Sequence, residues 1–226
     1  MQGTWDKSTP NNDGVIVAAM TEQRKNQRQI QKEATRQRIL STALELFVSR
    51  GYVATTVDDI AAAANTTRVT FYSHFESRRE LMRALIDELN SILDRHDEPG
   101  RHSTASLLVA AVHEGSREKL GSWLREQAAR WPLIKPYLLA VNEAAAVDAE
   151  IRSLMRSWIE EVVADICEGL DAANRYEPGT RHFRGELAYV ALDQTALAWM
   201  RGELDLTAEP ALEVLAEMWW KMLGAP

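Results

Sequence analysis

One cysteine, Cys167, stands in 226 residues. A lone thiol excludes an intramolecular disulfide framework and suits a reducing compartment, so a cytoplasmic location is the expectation. No apolar run approaches the roughly 18 residues that a membrane-spanning helix needs, so no membrane partner is expected. The short apolar patch Gly14–Met20 follows acidic and polar residues and does not read as a secretion signal. Strand signals are almost missing, and there is no internal repeat. Enzyme signatures are missing too: no phosphate-binding glycine loop, no nucleophile elbow and no HExxH. The histidines are His74, His96, His102, His113 and His182, and none pairs with a carboxylate or cysteine at metal-ligand spacing in a way that exceeds chance. No catalytic residue, metal or cofactor is therefore expected.

The net charge of −7 argues at first against a nucleic-acid partner. Its distribution reverses that reading. Residues 24–95 hold 12 Lys/Arg against 9 Asp/Glu, whereas residues 96–226 hold 13 against 21. A basic front on an acidic remainder suits a protein that meets DNA with one end. The most basic stretch, Arg24, Lys25, Arg28, Lys32, Arg36 and Arg38, is glutamine-rich and has no apolar period. It reads either as a solvated helix start or as an arm along DNA phosphates or in the minor groove.

Helical periodicity begins near Glu33, where Ile39, Leu40, Ala43, Leu44 and Phe47 share a face up to Ser49. Gly51 reads as its stop. Thr56-Val-Asp-Asp59 is a capping signal for a helix over Val57–Ala64. Asn65 breaks it, Thr67 caps a third helix over Arg68–His74, and Ser77-Arg-Arg-Glu80 caps a fourth that runs to about Leu93. Asp97–Gly100 is the best candidate boundary. Beyond it the pattern predicts helices at Leu107–Val112, Glu118–Arg130 and Leu138–Ala146, the last two parted by Pro132 and Pro136. A long helix capped by Asp148 runs to about Ala173, and two more cover Gly185–Arg201 and Pro210–Leu223. Three regions follow: a disordered basic arm over 1–30, a helix-turn-helix domain with a connecting helix over 31–95, and a larger helical domain over 96–226.

Two short helices joined by a tight turn behind a packing helix are the sequence shape of a helix-turn-helix. A recognition helix needs small or hydrogen-bonding residues at its leading edge. Thr67, Arg68, Val69 and Thr70 supply them, with Arg68 able to hold guanine through two bonds. Thr56, Tyr72, His74 and Arg78 offer donors for phosphates. Phe71 and Phe75 are too apolar for that surface and are expected to face the core with Ile60 and Phe47.

The segment Arg36–Leu85 resembles the DNA-binding domain of the TetR (tetracycline repressor) family. The resemblance is carried by Ile39-Leu40, Ala43, Leu46-Phe47, Gly51-Tyr52, Thr55-Thr56-Val57, Ile60-Ala61, Thr70-Phe71-Tyr72, His74-Phe75, Ser77 and Leu81. Asn65, Thr66 and Val69 depart from the residues usual there. The resemblance implies an all-α homodimer on operator DNA, with phosphates held by Thr56, Tyr72 and Arg78 and bases read by Thr67–Thr70. It also implies a C-terminal domain that binds a small-molecule effector, and a repressor released from its operator by that molecule.

Six of the seven tryptophans follow residue 100. Aromatic and Met side chains line small-molecule pockets, though at helical spacing they also make ordinary core. The candidates are Trp123, Trp131, Tyr137, Met155, Trp158, Tyr189, Trp199 and Met200, with Asn142, Glu143, Asp193 and Gln194 to orient a ligand. The last helix is apolar on two sides, through Leu212, Leu215, Ala216, Trp219 and Leu223 and through Val214, Met218 and Met222. With Gly185–Arg201 it would form the dimer interface. Two other readings stay open: a helix-turn-helix dimer whose output is a protein–protein contact, and a catalytic helical domain on a DNA-binding head.

Overall fold

The computed structural model describes residues 12–95, 105–204 and 209–224, and among these the only regular element is the α-helix. The order is α1 (Asn12–Arg50), α2 (Val57–Ala63), α3 (Arg68–His74), α4 (Arg78–Ile92), α5 (Ser106–Glu114), α6 (Arg117–Val147), α7 (Ala149–Ala172), α8 (Pro178–Arg201) and α9 (Glu209–Leu223). Among the described residues no helix is long and apolar enough to cross a membrane.

The first three helices form around aromatic side chains. Ile39, Leu40 and Phe47 of α1 meet Ile60 of α2, Phe71 of α3 and Phe75, all essentially without exposed surface. Burying each such side chain contributes roughly 1.5–3 kcal/mol. Gly51 ends α1 at φ +86°, with its N–H on the Phe47 carbonyl at 3.0 Å. A left-handed residue there is needed to turn the chain, and a Cβ would meet the Glu143 carboxylate. Asn65, at φ +48°, makes the turn between α2 and α3.

This core does not close on itself. It runs on through Leu81, Met82 and Leu85 of α4 into Ala140, Val141 and Ala144 of α6 and Ile151 and Met155 of α7. The same junction is tied by charge. Arg79 donates through Nε to Asp148 Oδ2 at 3.1 Å and pairs with Glu150 at 2.8 Å. Burial acts to raise the Asp148 carboxyl, but the Ile151 N–H, Arg79 and the Glu150 N–H outweigh it and hold it below the usual range.

A second core joins α5 to α9. Trp219 is fully buried, stacks on Trp123 with ring centres 5.3 Å apart, and donates Nε1 to the Ala188 carbonyl at 3.0 Å. Gly169 lets α5 cross α7 closely, since a Cβ there would meet the Val109 carbonyl oxygen at 2.8 Å. Arg175 gathers two helix ends: its Nη1 donates to the carbonyls of Val112 at 2.7 Å and Leu223 at 2.8 Å.

Three expectations change. The basic stretch expected to be disordered through residue 30 is helical from Asn12. Gln, Lys, Arg, Glu and Ala all favour helix and no proline interrupts them, so the missing apolar stripe signals exposure rather than disorder. The expected break at Pro132 and Pro136 does not occur, and α6 is one helix through both. The two prolines are four apart on one side, Pro132 is exposed, and the neighbouring turns are held by buried Trp131, Ile134 and Leu138. Helix α8 starts at Pro178, seven residues before Gly185, because Pro at the first turn and Arg181 bonded to the Arg175 and Tyr176 carbonyls support an earlier start. The boundary expected at Asp97–Gly100 and residues 1–11 lie outside the described residues.

Candidate nucleic-acid interface and ligand cavity

Each short helix of the head begins on a hydroxyl cap. Thr56 Oγ1 accepts from the Asp59 N–H at 3.1 Å, and Asp59 Oδ2 accepts from the Thr56 N–H at 2.8 Å, a complete capping box. The hydrogen bonds from Thr56 hold the Asp59 carboxyl below its usual range. Thr67 Oγ1 accepts from the Thr70 N–H at 3.1 Å, and Ser77 Oγ from the Glu80 N–H at 3.1 Å. These caps fix α3 with Phe71 inward and the opposite face outward.

That outward face holds Thr67, Arg68, Val69 and Tyr72 together. Val69 is 81% exposed, far more than a structural valine requires, and Tyr72 is 43% exposed. Thr70 is half-buried with its hydroxyl 2.9 Å from that of Thr67. Arg68 lies across the face, paired with Asp58 at 3.2 Å and with its guanidinium 5.6 Å from the Tyr72 ring centre. This exposed pair is cheap to open, so the guanidinium can swing to a base edge.

Two of the expected phosphate donors are occupied differently. Arg78 is half-buried: its Nη1 donates to the carbonyls of Tyr52, at 2.8 Å, and Thr55, and its guanidinium covers the Tyr52 ring at 4.1 Å. It therefore braces the loop before α2 at the start of α4. His74 is half-buried at the end of α3, and burial, with Lys32 and Arg36 nearby, pushes its pKa down. The lowered pKa favours the neutral imidazole, which offers an N–H rather than a positive charge.

The second site is a cavity of about 340 Å³ between the end of α4, residues 105–108, α6, α7 and α8. That volume is at the small end of ligand pockets. Trp123, Trp131, Trp158 and Tyr189 line it, with Leu108, Ile134, Leu138, Val162, Leu192 and Ala196 between them. Asp193 supplies a carboxylate, which accepts from the Tyr189 hydroxyl at 3.3 Å and from Gln194 Nε2 at 3.0 Å. Burial raises the Asp193 pKa against those two hydrogen bonds, and burial raises that of Tyr189 strongly.

The remaining candidates do not line the cavity. Tyr137 donates to Glu88 at 3.2 Å beside α1, Asn142 donates to the Leu138 carbonyl of its own helix, and Met155 belongs to the core shared with the head. Gln194 is exposed, Glu143 lies by Gly51, Met200 is buried beside Leu89, and Trp199 packs on Trp131 at 5.7 Å. Sequence reasoning missed Leu93, Asp94 and Arg95, which follow α4 and form one wall. Arg95 lies 4.3 Å over the Trp158 ring and pairs with Glu161 at 3.0 Å. It also missed Gln127 and Arg130, although positions 123, 127, 131, 134 and 138 repeat at helical spacing along one face of α6.

Asp193 yields a prediction. A carboxyl whose folded-state pKa is raised holds its proton more tightly when folded, so it costs stability as pH rises through that pKa. Asp193→Asn does not titrate. The variant is expected to gain thermal stability relative to the parent as pH rises from the ordinary aspartate range through the raised folded-state pKa, read as a difference in melting temperature that widens with pH and then levels off. A difference independent of pH would refute it.

Residues 39–85 match the family model described as "Bacterial regulatory proteins, tetR family". A probable HTH-type transcriptional regulator, ArpR of Pseudomonas putida, is 40% identical over 139 residues, which are 62% of this chain and 53% of that protein. SrpR, an HTH-type transcriptional regulator of the same organism, is 43% identical over 87 residues, 36% of this chain and 41% of its own length. The chain thus spans about half or less of these relatives. In overall fold it is similar to NalD, described as the secondary repressor of the MexAB-OprM multidrug efflux pump in Pseudomonas aeruginosa. The TM-score is 0.66 at 18% identity, covering 85% of this chain and 96% of that one. A TetR-like regulator from Rhodococcus sp. RHA1 has a TM-score of 0.60 at 19% identity, covering 83% and 94%.

Proposed function

We propose that this chain, which belongs through its N-terminal domain to the tetR family of bacterial regulatory proteins, is a dimeric, effector-responsive transcriptional repressor of the cytoplasm. The observation that carries the reading is the outward face of α3, where Thr67, Arg68, Val69 and Tyr72 stand exposed on a helix held by Phe71 and two hydroxyl caps. Such a face suits the major groove, with Arg68 reading guanine, Val69 touching a thymine methyl and Tyr72 and the helix-start N–H groups holding phosphates. Repression is supported by relatives: IcaR of Staphylococcus aureus, 31% identical over 74 residues, is named a negative transcriptional regulator.

A second copy would cover the apolar residues that α8 and α9 leave exposed: Phe183, Leu187 and Val190 at helical spacing, and Val214 with Met218. The effector would be a small, largely apolar molecule in the cavity, oriented by Asp193 and Tyr189. Because Leu93–Arg95 form one wall of that cavity and Arg78 braces the head at the other end of α4, occupancy would be felt by the head through α4. A coupling of about 1–3 kcal/mol would lower operator affinity several-fold or more.

The test is a gel shift on the DNA flanking the protein's own gene, with and without candidate effectors. Tyr72→Phe is expected to weaken binding to all sequences roughly 10-fold, the scale of one hydrogen bond to a charged group. Arg68→Ala is expected to relax the sequence preference by about 1–3 kcal/mol at one base pair. If both variants bind like the parent, α3 does not read the DNA.

A further inference from the structure

We infer that the middle of α1, from Arg24 to Arg36, is a basic helical arm that follows the phosphate backbone of duplex DNA beyond the stretch read by α3. The inference rests on the DNA-binding reading above. Arg24, Lys25, Arg28, Lys32 and Arg36 fall within about 120° of arc around the helix and extend about 18 Å along it. The two acids of the segment, Glu22 and Glu33, fall outside that arc. The sixth basic residue, Arg38, is spent elsewhere: its Nε donates to the Ala64 carbonyl at 2.9 Å and braces the end of α2.

The stripe has a direction. Arg36 lies over the Phe75 ring with its guanidinium 5.1 Å from the centre, and Lys32 and Arg36 both act on His74 at the end of α3. The basic row therefore starts beside the C-terminal end of the recognition helix and runs away from it. Residues 22–34 are all exposed, and among the described residues no ion pair joins any of the five cations to an acid.

Charge placement selects the partner. Arg24, Arg28, Lys32 and Arg36 stack like charges at successive i,i+4 positions, which disfavours the helix that carries them. A polyanion relieves that repulsion, and one with regular charge along a rigid rod matches a straight one-sided row. An apolar or basic protein surface would leave the row without its complement, and the regular phosphate spacing of a duplex matches its straight course.

The experiment measures salt dependence. The parent and an R24Q/K25Q/R28Q/K32Q variant are titrated onto a random-sequence 40-base-pair duplex by fluorescence anisotropy, from 50 to 200 mM KCl. A random duplex suffices because phosphate contacts carry no base information. Removing four phosphate contacts should lower the slope of log affinity against log salt by about 3–4 per engaged arm. The parent should then lose roughly 100-fold more affinity than the variant across that range. Glutamine favours helix, these side chains are exposed and the like-charge repulsion is removed, so helicity by circular dichroism and melting temperature should not fall. An R24K/R28K variant, which keeps the charge, should keep the parent slope. If the parent binds the duplex and the quadruple variant has the same slope, the arm is overturned while the reading of α3 stands. If the parent shows no salt-dependent binding to duplex, both fall.

Discussion

A Phe71→Ala protein is expected to lose DNA binding altogether and to melt about 10 °C or more below the parent. Phe71 has no exposed surface and packs against Phe75 at 5.8 Å and Tyr72 at 5.5 Å between ring centres. Truncating a buried Phe costs about 3–5 kcal/mol, and in a domain of this size each kcal/mol moves the midpoint by about 2–4 °C. The shape of the transition is the sharper prediction. Because one apolar cluster holds Phe71 together with Ala140, Val141, Ala144, Ile151 and Met155, the head has no core of its own. Calorimetry of both proteins should show one cooperative transition for α1–α4 together with α6 and α7. A head that melts separately, leaving the rest of the protein at the parent temperature, would contradict the shared core.

The second large effect concerns coupling. Trp158 lines the cavity, and its Nε1 donates to Asn90 Oδ1 on α4 at 2.7 Å. Among the described residues, no other indole in the cavity wall is bonded to α4. Trp158→Phe keeps an aromatic ring but removes the N–H, and Asn90→Leu removes the acceptor. Both variants are expected to bind DNA like the parent without effector. With an effector that releases the parent, the shift in DNA affinity should fall from the expected 5–150-fold to within about threefold. Effector binding itself, followed by quenching of the remaining tryptophans, should weaken much less than the coupling. Full release in both variants would show that the bond does not carry the signal. Since the two groups act on each other, the double variant should be no worse than either single one.

The head was legible because its signals are local. Thr56, Thr67 and Ser77 each bond the N–H three residues on, as their positions imply, and Phe71 and Phe75 turn inward. Helix limits were legible where a cap or glycine marks them, and failed where a rule of thumb was overridden. Pro132 and Pro136 sit inside α6 because Trp131, Ile134 and Leu138 anchor the turns around them. The cavity was legible only in part, since periodicity tells which residues share a face and not which helix they meet. Trp123 and Tyr189 face the void, whereas Tyr137 and Met155, equally aromatic or flexible, face the head. Arg78 shows the same limit at one residue: a cation at a helix start reads as a phosphate donor until the Tyr52 and Thr55 carbonyls are seen around it.

The continuous core also bears on how such regulators can be recombined. Grafting this N-terminal head onto another C-terminal domain, or another head onto this one, exchanges only one side of a packed seam. A working chimera will have to carry Ala140, Val141, Ala144, Ile151 and Met155 with residues 36–86, and Asp148 and Glu150 with Arg79. If α3 reads DNA as proposed, operator preference can be changed far more cheaply, by substitution at Arg68 and Val69, because Val69 is exposed and the Arg68–Asp58 pair lies at the surface.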